Sequence, residues 1–169
     1  MIRTVGAMVG ASERAFHLVS TFETCLADAR SRAEQLPKRP RVFFEEWDDP
    51  LISGIGWVSE LVEIAGGIDI FADRASQGAA KDRVVTVDQV VARKPDLILG
   101  SWCGKKFAPH AVRARPGWAD VPAVRDGELH EVKSALILQP GPAALTDGVR
   151  AIEAIVQGWA RRRAAVSRP

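Results

Sequence analysis

The sequence predicts an α/β fold: a three-layer lobe on a mostly parallel sheet, preceded by one long helix. Three observations carry this. A single apolar stripe recurs at spacings of three and four from Ser12 to Leu36. From Arg41 onward, short apolar runs that suit strands alternate with helical stretches, the order expected of parallel strands joined by crossovers. The 169 residues, 47% hydrophobic and 26% charged, match one globular domain able to bury roughly 70% of its unfolded surface.

The chain divides into a connector helix (1–37), a carboxy-terminal α/β lobe (38–160) and a basic tail (161–169). Phe16, Val19, Phe22, Leu26, Ala29, Ala33 and Leu36 line one helix face, while Glu13, Arg14, Glu23, Asp28, Arg30, Arg32 and Glu34 take the others. At about 1.5 Å per residue this helix is longer than a small lobe needs. Pro37 and Pro40 end it. Arg41 to Glu45 reads as a strand, Trp57 to Ala65 as a helix stopped by Gly66 and Gly67, and Ile68 to Phe71 as a short strand. Thr86 and Gln89 have the spacing of a capping box for a helix to Arg93, and Pro95 precedes the strand Asp96 to Gly100. A helical turn at Ala108 to Arg113, a strand at Leu129 to Val132 and a last helix from Ala143 to Trp159 complete the lobe. Ala160 to Pro169 reads as a frayed tail.

Charge and composition exclude several classes. A net charge of +2, from 23 Lys and Arg against 21 Asp and Glu, lacks the concentrated basic surface of a nucleic-acid binder. No apolar run approaches the roughly 18 residues of a membrane span. The first residues imitate a signal peptide only faintly, since their apolar part is short, Gly-rich and runs into Glu13 and Arg14. Cys25 and Cys103 stand far apart with no CxxC, so neither a zinc site nor a disulfide framework is indicated.

In open α/β sheets ligands bind beyond the carboxyl ends of the strands. The residues there are Glu45 to Pro50, Ser101 to Lys106 and Lys133 to Pro142, with Trp57 opening the next helix. Trp47, Trp57 and Trp102 are therefore expected on one concave rim suited to a flat or bulky ligand, whereas Trp118 and Trp159 suit the core. Glu45, Glu46, Asp48 and Asp49 would suit a cation or an acid/base pair; a solvated loop before Pro50 is the plainer account. Cys103, in a lysine-flanked glycine loop, would suit a nucleophile or soft metal ligand, but His17, His110 and His130 have no evident reason to converge on it. GxSxG, the P-loop and GxGxxG are absent.

The segments Arg41 to Trp47, Gly54-Ile-Gly-Trp57 through Gly67, Val87 to Leu99, Ala123-Val-Arg-Asp-Gly127 and Gln139-Pro-Gly-Pro142 together resemble substrate-binding proteins of ABC importers for cobalamin, iron-siderophore and haem, most of all the cobalamin type. The resemblance covers about residues 1 to 160. It implies the carboxy-terminal lobe plus the rigid helix that joins two lobes around a ligand cleft. Of the amino-terminal lobe there is no counterpart, so a fragment, or a partner chain supplying that lobe, is expected. The resemblance further implies a periplasmic location, a permease partner and no enzymatic activity. Ligand contacts are expected at Glu46, Trp47, Trp57, Trp102, Cys103 and Gln139, and the resemblance adds a permease-docking carboxylate at Asp88, where the family usually has Glu. No resident cofactor or metal is implied, cobalamin, haem or a ferric siderophore being the cargo. The competing readings are a small α/β enzyme using Cys103 or the Glu45/Glu46 pair, and a fragment without function.

Overall fold

The computed structural model describes residues 1–166. Helix α1 (Ile2–Met8) turns at Val9 to Ala11 into α2 (Ser12–Glu34). The span 1–37, expected as one connector helix, is therefore two helices. The reason is local: Gly10 has φ +68, a left-handed conformation open chiefly to glycine, which lets the chain reverse. Gly6 then seats α1 against α2, for a Cβ there would stand 2.3 Å from the Cβ of Ala15.

Strand β1 (Arg41–Asp48) forms a hairpin with β2 (Leu51–Ser53) and leads to α3 (Gly56–Ile64). Next come β3 (Ile68–Asp69), α4 (Ala72–Ala75), a 3₁₀ turn (Ala80–Arg83), α5 (Val87–Arg93) and β4 (Leu97–Gly100). The chain closes with α6 (Pro109–Arg113), α7 (Pro122–Arg125), β5 (Leu129–Glu131), α8 (Ser134–Ile137), a π-turn (Ala144–Gly148) and α9 (Val149–Val166). The capping box is present: the Thr86 hydroxyl accepts from Gln89 N–H and the Gln89 side chain accepts from Thr86 N–H.

Strand order is β2-β1-β4-β5, with β3 also on β1. β1 pairs in parallel with β4 and β3, and β4 with β5; only the β1–β2 hairpin is antiparallel. One edge of β1 is thus shared, β3 taking Arg41 and Val42 and β2 taking Glu45 to Asp48. Alternate side chains supply two cores. Val42, Phe44, Leu97 and Leu99 pack under α2, α3 and α9, while Phe43 and Ile98 pack under α5, α6 and α7 with Trp118. This is the expected three-layer lobe. The lower part of α2, with Phe22, Cys25 and Ala29 buried, lies on it; the upper part projects, leaving Phe16 57% and Leu18 44% exposed.

The basic tail departs from expectation. Instead of fraying after Trp159, α9 runs on to Val166 because Arg162 donates twice to Glu128 (3.0 and 2.7 Å) and Arg163 to Asp126. Residues 167–169 of that tail lie outside the described residues. Among the described residues, no helix is long and apolar enough to cross a membrane.

Candidate functional site: the rim at the carboxyl ends of the strands

β1, β4 and β5 end together, and a buried ion pair organises the loops beyond them. Glu45, fully buried, lies beside Gly100 in register. Its carboxylate accepts two bonds from the Arg115 guanidinium (2.7 Å each) and one from the Trp102 indole N–H (2.9 Å). The paired fork is the strong geometry for a carboxylate. Burial nevertheless pushes the Glu45 carboxyl above its ordinary range, against the pull of Arg115 and Trp102. A bulge at Glu46, between the pairs Glu45↔Ser53 and Trp47↔Ile52, turns the strand end outward. Gly100 lets the next loop fold back over the sheet, since a Cβ there would meet the Phe107 ring at 1.9 Å. Phe107 in turn packs edge-on to Trp102, ring centroids 5.0 Å apart.

On this base Trp47 and Trp102 clasp a lysine. Lys105 Nζ lies 4.5 Å from the Trp47 centroid, 5.0 Å from that of Trp102 and 2.6 Å from Asp48 Oδ1. Trp47 is half-buried and its indole donates to Asp49 O (2.9 Å), whereas Trp102 is only 5% exposed. Beside them a cleft of about 390 Å³ is lined by Trp102, Lys105, Lys106, Glu131, Lys133 and Ser134.

A family model described as "Periplasmic binding protein" matches residues 1–136. The chain belongs to that periplasmic binding protein family. The uncharacterized ABC transporter substrate-binding lipoprotein YvrC of Bacillus subtilis (strain 168) is 26% identical over 153 residues, 88% of this chain and 46% of that protein. A vitamin B12-binding protein of Vibrio parahaemolyticus is 28% identical over 114 residues, 64% of this chain and 38% of the relative. The chain thus spans less than half the length of the curated relatives it matches. Among solved structures, the periplasmic heme-binding protein RhuT from Roseiflexus sp. RS-1 superposes with TM-score 0.70 at 27% identity, covering 92% of this chain and 62% of that one. A possible iron-binding periplasmic protein from Staphylococcus epidermidis shares the fold, with TM-score 0.78 at 17% identity over 92% of this chain and 59% of its own.

In this periplasmic binding protein the expected rim of three tryptophans divides. Trp47 and Trp102 stand together, but Trp57 packs against the opposite core layer, and its indole donates to Ile137 O (2.9 Å). Trp57 moves because it opens α3, which crosses to the other face of the sheet. There it lines an apolar groove of about 730 Å³ with Phe22, Leu26, Leu61 and Leu145. Gln139 is exposed, immediately before Pro140, which lines that groove.

Glu46 also departs from its expected place. Both its oxygens accept from Arg83 (2.7 and 3.0 Å), itself 2% exposed and bonded to Ser53 O. Glu45 and Glu46 are therefore separate arginine pairs and do not form the joint carboxylate pair that acid/base work would use. Cys103 is exposed, while His130 is held on Glu128 (2.9 Å) and His17 lies near Glu13 on α2. Asp88 is exposed in the first turn of α5. That helix starts beside the hairpin that carries Trp47, because Val84 bridges Ile52 and Val85 N–H donates to Leu51 O (2.9 Å). The helix that carries Asp88 is thus rooted at the strand that pairs with the one carrying Trp47.

Arg115, Arg83 and Phe107 are not apparent from the sequence. Arg115 sits in an Arg-Pro-Gly-Trp turn whose composition speaks only of a loop, and nothing local announces its partner seventy residues earlier.

Proposed function

We propose that this chain is a ligand-capturing lobe of an ABC importer's substrate-binding protein, taking cobalamin or a similar metal chelate and presenting it to a membrane permease. The observation that carries the reading is the rim itself. Trp47, Trp102 and three lysines meet at one sheet end, while Glu45, Glu46 and Asp48 are each taken up by a cation. Such an edge suits holding a molecule, with its tryptophans and lysines gathered at the cleft. The names of the Vibrio and Roseiflexus proteins support a chelate cargo, and those of the Roseiflexus periplasmic protein and the Bacillus lipoprotein support a place of work outside the cytoplasmic membrane. Exposed Asp88 is the proposed permease contact, where its carboxylate also meets the positive end of α5.

The test is titration with cyanocobalamin, haemin and a ferric siderophore, read by calorimetry and tryptophan fluorescence. Saturable but weak binding of at least one is expected, because a single lobe leaves about half of a ligand wet. Asp88→Ala should leave that affinity unchanged and weaken association with the permease. Failure of every chelate to bind overturns the capture reading; loss of chelate binding in Asp88→Ala reverses the two sites.

A further inference from the structure

We infer that this rim selects a chelate bearing oxyanions, such as two or more carboxylates, because lysine and not tryptophan is what it leaves open. The inference rests on the capture reading above and narrows it. Trp102, 5% exposed, lies beneath Phe107, and the Lys105 ammonium already sits against both indoles. Lys105 is itself matched by Asp48 at 2.6 Å. The aromatic pair therefore works inward, holding a cation of its own chain, and offers little free ring face.

Lys106 and Lys133 differ. Both are exposed, both line the cleft of about 390 Å³ beside Trp102, and among the described residues neither makes an ion pair. They arrive from different strands, Lys106 from the loop after β4 and Lys133 from the two residues after β5. The sheet, not the local sequence, brings them to one wall. One carboxylate opposes them, Glu131, whose Oε1 accepts from Phe107 N–H at 3.3 Å. Two ammoniums against one engaged carboxylate leave the cleft positive, with up to three donors on each lysine and free rotation about long stems. Such groups act as point charges, suited to carboxylate arms of variable position, and they repel a cationic chelate. The cleft is small, so it suits an anionic arm of the ligand while the bulk of the chelate lies above it.

Calorimetric titration of the chain with haemin, ferric citrate, cyanocobalamin and ferrioxamine B tests this. Haemin and ferric citrate carry carboxylates, cyanocobalamin has no net charge, and ferrioxamine B is a cation. The two polycarboxylates should bind at least ~10-fold tighter than the other two, and the advantage should shrink as salt rises. Lys106→Ala/Lys133→Ala should remove most of that advantage by weakening the two polycarboxylates far more than cyanocobalamin, and Lys106→Glu/Lys133→Glu should invert it. Both positions are exposed, so unchanged circular dichroism should accompany either variant. Equal affinities, or cyanocobalamin tightest with the lysine variants harmless, would overturn the anion selectivity while leaving chelate capture standing. No binding of any of the four would overturn both.

Discussion

Glu45 and Asp126 are both gripped by arginine, yet their carboxyls shift in opposite directions. Asp126 lies at the surface, where Arg125 first and Arg163 beside it hold its pKa down to about 2 from the usual 3.8. Glu45 accepts from Arg115 and Trp102 together, but it is fully buried, and loss of water outweighs these partners and lifts it above 4.5. An arginine partner does not by itself set the sign; the solvent that remains does. The pH dependences are therefore opposed. The Asp126 contribution is present above about 3.8 and is lost as pH falls toward about 2. The contribution of Glu45 is present below its ordinary value of 4.5 and declines as pH rises through the raised one.

The largest effect should come from Arg115→Ala, which strands a buried carboxyl and frees Trp102 from its anchor. A loss of about 3–5 kcal/mol is expected, read by denaturant unfolding. The loss should be greater at pH 8 than at pH 5, where Glu45 can take up a proton instead; equal losses would show that burial does not govern this site. Glu46→Ala is the intermediate case. Its partner Arg83 is buried but keeps the Ser53 carbonyl, so about 2 kcal/mol is expected by the same measurement. A loss as large as that of Arg115→Ala would mean that partial exposure of Glu46 provides no relief. Smallest is Asp126→Asn, whose ion pairs are solvated: a fall in Tm of about 2 °C or less at neutral pH, disappearing between pH 4 and 2, is expected. Retention of the difference at pH 2 would contradict the lowered carboxyl.

Much of the architecture is legible because it is written in neighbouring residues. The periodicity from Phe22 to Ala29 marks the buried stripe of α2, the Thr86 and Gln89 spacing marks the start of α5, and Pro95 marks the boundary before β4. The break at Gly10 is hidden because glycine inside an apolar helical pattern does not reveal its φ. The short β2 is hidden because only the turn at Asp49 and Pro50 makes Leu51 to Ser53 a strand. Of the candidate residues, Trp47 and Trp102 stand together at the ends of β1 and β4, while Trp57 and Glu46 are directed elsewhere.

The sequence by itself determined the alternation of helix and strand and the burial of Trp118 and Trp159, since side-chain period and hydrophobicity are properties of adjacent residues. Only the tertiary structure decided which charges meet. Arg115 reaches Glu45, Arg83 reaches Glu46, and Lys106 and Lys133 share one cleft because parallel pairing aligns β1, β4 and β5 at one end. That alignment depends on sheet register and on loops that close across long sequence separations, and neither leaves a trace in the residues flanking each charge.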